Sequence, residues 1–159
     1  MSLDSLIFDL RTFLQEGKTG RASSDRFFER KEKGYKSYIK GMEFEKKVSN
    51  WLTDQGFRVK TRIRTKRLGE FDLIASKGKW LGLGEDVLLV ECKDKSRISG
   101  EDINKFAYKV KRLYDAGKIQ KALFVYRGEL DTSAERALKI MNEELRGLIQ
   151  IKKWPSKKR

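Results

Sequence analysis

No histidine occurs anywhere in the 159 residues, and the only cysteine is Cys92. The first absence excludes Ser-His-Asp triads, histidine general bases and histidine-ligated zinc. The second excludes an internal disulfide and any multi-cysteine zinc site. A metal would need oxygen ligands here, which points to Mg²⁺ or Mn²⁺. Apolar runs are short, none approaching the roughly 18 residues that span a bilayer. The opening residues, MSLDSLIFDL, carry acids where a signal peptide carries cations. A soluble, cytoplasmic protein with no membrane partner is expected.

What the chain has in excess is positive charge: 37 Lys and Arg against 23 Asp and Glu, a formal net charge of +14. That surplus calls for a polyanion, either a nucleic acid or an anionic membrane surface. The basic residues follow a strand pattern rather than the face of an amphipathic helix, which argues against the membrane. The hydrophobic fraction suffices for one domain with a proper core.

Hydrophobic spacing predicts the elements. Residues 3–15 form a helix closed by Gly17 and Gly20. Residues 18–40 are a second helix or an arm, in which Phe27, Phe28, Tyr35 and Tyr38 serve packing rather than base stacking, and Gly41 is a boundary. An amphipathic helix follows, with Phe44, Val48, Trp51 and Leu52 inward and Gly56 at its end. Phe57–Thr65 alternates as a strand, Glu70–Ala75 is a second strand, 76–86 a loop, and Val87–Lys93 a third strand. Ser99 caps a helix through Asp102. Leu123–Tyr126 is a strand, Thr132–Leu145 a helix, and Leu148–Ile151 a last short strand. The fold class is therefore α/β, a mixed sheet flanked by helices with an N-terminal helical extension. The expected division is an accessory arm over 1–40, the main domain over 41–152, and a basic tail over 153–159.

Three acids and a lysine carry the chemistry. In VLLVECK, residues Val87, Leu89, Glu91 and Lys93 share one strand face, with Leu88, Val90 and Cys92 on the other. Asp72 lies opposite Phe71, Leu73 and Ala75. If the two strands are neighbours, Asp72 meets Glu91, and two such carboxylates repel unless a divalent cation lies between them. On the helix, Glu45 sits at the margin of the apolar stripe while Glu43 faces away. Singly, each has an ordinary reading: a surface Glu-x-Lys pair, a polar strand face, an acid near a helix N-terminus. Their order along the chain favours a metal site.

That order resembles the PD-(D/E)xK nuclease superfamily, and within it the Mrr-like restriction endonucleases and the archaeal Holliday-junction resolvases. The likeness runs over about residues 41–127. Gly41-Met42-Glu43-Phe44-Glu45 is similar to the first-helix motif, Phe71-Asp72-Leu73-Ile74 to the Asp strand, and Val90-Glu91-Cys92-Lys93 to the Glu-x-Lys strand. Glu70-Phe71-Asp72 departs from the Pro-Asp of the superfamily's name. The resemblance implies a restriction-endonuclease-like fold and an endodeoxyribonuclease using Mg²⁺ or Mn²⁺. By it, Asp72, Glu91 and the Cys92 backbone carbonyl hold the metal, Glu45 adds a ligand directly or through water, and Lys93 orients or helps deprotonate the attacking water. Paired active sites on a homodimer would cut both strands.

Arg58, Lys60, Arg62, Arg64 and Lys66 fall at alternate positions and make a basic stripe leading to Asp72. A DNA phosphate backbone could lie along it; edge protection against aggregation is the plain alternative. Arg97, Lys105, Lys109 and Lys111 extend that surface or form an ordinary solvated helix face. Lys157, Lys158 and Arg159 read as a mobile, non-specific tail. The competing functions are a catalytically inert DNA-binding module on a nuclease fold and an RNA-binding protein. Intact Glu45, Asp72, Glu91 and Lys93 argue against the first, and the absence of an aromatic RNA-binding motif argues against the second.

Overall fold

The structure, a computed structural model, describes residues 21–79, 82, 84–145 and 147–155. The expected helix over 3–15 and the last four residues lie outside that range, as do the side chains of Phe27 and Phe28. The elements are α1 (Arg21–Asp54), β1 (Arg58–Thr65), β2 (Gly69–Gly78), β3 (Glu85–Ile98), α2 (Gly100–Asp115), β4 (Lys121–Leu130), α3 (Thr132–Glu144) and β5 (Ile149–Lys153). The chain divides into two compact units between Lys40 and Gly41. No described helix is long and apolar enough to cross a membrane.

The second unit is built on a five-stranded mixed sheet in the order β1-β2-β3-β4-β5. The first three strands pair antiparallel through short connections. The last three pair parallel, because α2 and α3 return the chain to the same end of the sheet. Alternation along the central strands feeds two cores. Leu89, Phe124 and Tyr126 pack with Ile103, Phe106 and Val110 of α2 and Ala134, Leu138 and Met141 of α3. Leu73, Ala75, Val90, Cys92, Leu123 and Val125 pack against Phe44, Val48 and Leu52 of α1. Each fully buried side chain of this kind contributes roughly 1.5–3 kcal/mol, so the central strands are held from both faces.

Three boundaries differ from the sequence reading. Gly41 does not end a helix; α1 runs through it from Arg21 to Asp54. An interior glycine costs only about 1 kcal/mol relative to alanine, which flanking helix formers can absorb. The helix closes at Gly56, as expected. Its φ of 87° permits the Gly56 amide to reach the Thr53 carbonyl and the Phe57 amide the Leu52 carbonyl, closing the orphaned carbonyls. The loop expected over 76–86 is shorter, because Ser76, Lys77 and Gly78 pair with Val87, Asp86 and Glu85. Polar residues at a hairpin end carry no apolar signal for that pairing. The tail assigned from 153 begins within the sheet. Lys153 ends β5, and Trp154 donates its amide to the Tyr126 carbonyl at 2.7 Å and meets Phe44 and Trp51 edge-on.

Candidate active site

β2 and β3 are neighbours, and the pairing of Leu73 with Val90 sets Asp72 beside Glu91. Asp72 Oδ2 accepts a 2.7 Å hydrogen bond from the Cys92 amide. The predicted alternation fails at this step. Leu73 and Ala75 pack with α1, whereas Phe71 joins the core on the other face. The β1–β2 ladder also skips the Arg62–Asp72 step, where Arg62 takes a left-handed backbone, φ 52°. A non-glycine residue in that region costs about 1–3 kcal/mol and persists only where its surroundings hold it.

Glu91 is buried, at 5% exposure. Lys93 Nζ lies 2.7 Å from Glu91 Oε1. Lys109 Nζ, from α2, lies 3.5 Å from Oε2 and donates to the Glu70 carbonyl at 2.8 Å. Glu45 reaches the same region from α1, half-buried, with its Oε2 3.5 Å from Arg62 Nε. Glu43 is exposed, as the helical wheel requires. An open cleft of about 600 Å³ adjoins Glu91 and Lys93, walled by Leu68, Asn104, Lys105 and Tyr108.

The electrostatics follow from crowding acids where water is scarce. Burial, then the Glu91 charge, pushes Asp72 up to about 6, against the pull of the Cys92 amide and Lys93. Burial likewise raises Glu45; Arg62 opposes this, while Glu70 and Glu91 add to it. Lys93 is held above the usual lysine range: burial pulls it down, but the Glu91 carboxylate outweighs burial. The Cys92 thiol is pushed far above its ordinary range by burial and then by Asp72, which excludes it as a thiolate nucleophile.

Three mutually repelling carboxylates suit a divalent cation by charge and by donor type. Among the described residues, however, no three Asp, Glu, His or Cys side chains converge into a ready-made cage. The oxygens are otherwise engaged: Glu91 with two lysines, Asp72 with a backbone amide, Glu45 with Arg62. The structure thus brings Asp72, Glu91, Cys92 and Lys93 together, and sets Glu45 toward them at longer range.

The cationic stripe is interrupted. Arg58 pairs with Glu85, Arg62 with Glu45, and Arg64 Nε with Glu70 Oε2 at 3.0 Å. Lys60 lies exposed on β1, and Lys66 is exposed in the following turn. Sequence reasoning missed the acids that answer these arginines, because they come from α1, β2 and β3. It also placed Lys109 on a solvated or DNA-facing surface. The available signal was its position beside Phe106 and Val110, at the margin of the α2 apolar stripe, where Glu45 sits on α1. The ion pair between the buried Asp94 carboxylate and the partly exposed Arg127, 3.2 Å apart, was not anticipated either.

Comparison with known proteins follows this geometry. The Mrr_cat family model, described as restriction endonuclease, matches residues 37–150. No curated protein matches. A crystal structure described as a protein of unknown function, AF1548, aligns with a TM-score of 0.48 at 16% identity, covering 72% of this chain and 59% of that one. The family match spans the helix of Glu45 and the strands of Asp72, Glu91 and Lys93, and on it the chain belongs to the Mrr-like restriction endonucleases of the PD-(D/E)xK nuclease superfamily.

Proposed function

We propose that the protein is a divalent-metal-dependent endodeoxyribonuclease, acting on DNA phosphodiesters with Mg²⁺ or Mn²⁺. One observation carries this: within a restriction endonuclease domain, two strands set Asp72 beside a buried Glu91 that is ion-paired to Lys93. Asp72, Glu91 and the Cys92 carbonyl would hold the ion, with Glu45 adding a ligand directly or through water. The bound cation supplies Lewis acidity for attack of water on the phosphodiester. Lys93 stays protonated while Glu91 faces it, so it orients water and steadies charge at the phosphate rather than removing a proton. The site takes its DNA from the side of β1 and the 66–68 turn, where Lys60, Lys66 and Arg64 are exposed.

A homodimer would let two such sites cut two strands. Residues 1–40 would then be an accessory segment. A second reading, an inert DNA-binding module, draws on the absence of a three-acid cage among the described residues. A cleavage panel separates the two: duplex, single-stranded, flap and four-way-junction DNA, with RNA as control, in Mg²⁺ or Mn²⁺ and in EDTA. Metal-dependent DNA cleavage supports the nuclease. Binding without cleavage of any substrate supports the inert module, and preference for RNA sinks both.

A further inference from the structure

A buried carboxylate must be compensated, and Glu91 is compensated twice. Lys93, two residues along the same strand, supplies one ion pair. The other comes from a different element. Lys109 on α2 approaches Glu91 Oε2 at 3.5 Å, donates to the Glu70 carbonyl at 2.8 Å, and stands 5.4 Å from the centroid of the Phe71 ring. A lysine serving only solubility keeps its ammonium in water, because desolvation disfavours the charge. This one rests among a buried acid, a backbone carbonyl and a ring face, with its side chain 20% exposed. The carbonyl and the ring belong to the start of β2, immediately before Asp72.

We infer that Lys109 is a positioning residue of the acid site: it occupies the place of a divalent cation on Glu91 and ties the Glu70–Phe71 end of β2 to β3. The inference deepens the metal-nuclease reading and rests on it. A cation entering at Glu91 meets the field of a fixed ammonium and must displace it. Lys109 therefore stabilises the metal-free protein and opposes the metal.

A double-mutant cycle in EDTA tests the first half, using Lys109→Met, Glu91→Gln and the pair, read by thermal unfolding. Lys109→Met should lower Tm by roughly 3–6 °C in a domain of this size, and by much less when Glu91 is already Gln. Lys109→Arg should recover most of the loss. Equal losses in both backgrounds would mean that Lys109 only packs, and the inference falls. If Lys109→Met does not fold, Lys109→Gln takes its place. Calorimetric titration with Mn²⁺ tests the second half. Lys109→Met should bind on the order of tenfold more tightly, because a unit charge a few ångströms from the ion is gone. Wild type that binds Mn²⁺ while Lys109→Met binds equally or less tightly overturns the inference alone. Wild type that binds no Mn²⁺ overturns the metal reading and the place-holding role together, leaving the cycle to decide the ion pair.

Discussion

Asp72 shows most directly what crowding carboxylates where water is scarce costs the fold. Burial and the neighbouring Glu91 raise its folded pKa to about 6, above the ordinary aspartate value of 3.8. Between those values the folded chain holds the proton more tightly than the unfolded one. The Asp72 contribution to stability therefore falls as pH rises from about 4 to 6, and stays low above that. Asp72→Asn keeps an oxygen for the Cys92 amide and removes the charge. It should raise the stability at pH 7.5 in EDTA by on the order of 1 kcal/mol or more, read as a higher Tm, with the gain shrinking toward pH 4. Added Mn²⁺ should stabilise wild type but not the variant. Melting curves at several pH values check both halves, and destabilisation at pH 7.5 would contradict the account. Gly128 is a residue-scale constraint of another kind. Its φ is 112°, and a Cβ there would collide with the Lys95 carbonyl, at the register shift that follows the Asp94–Arg127 pairing. Gly128→Ala should cost roughly 3 kcal/mol or more, measurable by denaturant unfolding.

At the scale of elements, β1 carries a basic stripe in the sequence, and its neighbours in the fold change that. Arg58, Arg62 and Arg64 already face Glu85, Glu45 and Glu70, so using them on phosphate means giving up an existing partner. Replacing Lys60 and Lys66 with Gln should flatten the slope of log K against log salt by nearly 2, at roughly 0.9 per contact. Replacing Arg62 and Arg64 should flatten it less. Affinity at several salt concentrations decides, and the reverse order would restore the uninterrupted stripe. The contrast marks what was legible in the sequence. Leu89, Glu91 and Lys93 could be placed on one face because alternation is a local property of a strand, and the Ser99–Asp102 capping box of α2 because a cap spans four residues. Glu70 as the partner of Arg64, the Phe71–Leu73 break, and Lys109 on Glu91 all depend on which elements meet. Hydrophobic periodicity says nothing about that. The helix through Gly41 was missed because one glycine is a weak breaker beside good helix formers.

For the whole molecule, the net charge of +14 and the acid site have opposite needs. The cations would gather a polyanion from solution, and the acids would repel its phosphates unless a divalent ion stands between them. Two-strand cutting calls for a second copy of the site, so sizing at low concentration in moderate salt should give twice the 18.6 kDa chain mass; a strict monomer would contradict that. The central claim is that Glu91, buried and shared between lysines, is the pivot of a metal-dependent nuclease. Its most direct test is cleavage of duplex and four-way-junction DNA by wild type and Glu91→Gln, with DNA affinity measured on the same preparations. The account predicts cleavage by wild type in Mg²⁺ or Mn²⁺, none in EDTA, and loss by on the order of a thousandfold in the variant with DNA binding retained. Undiminished cleavage by Glu91→Gln would contradict it.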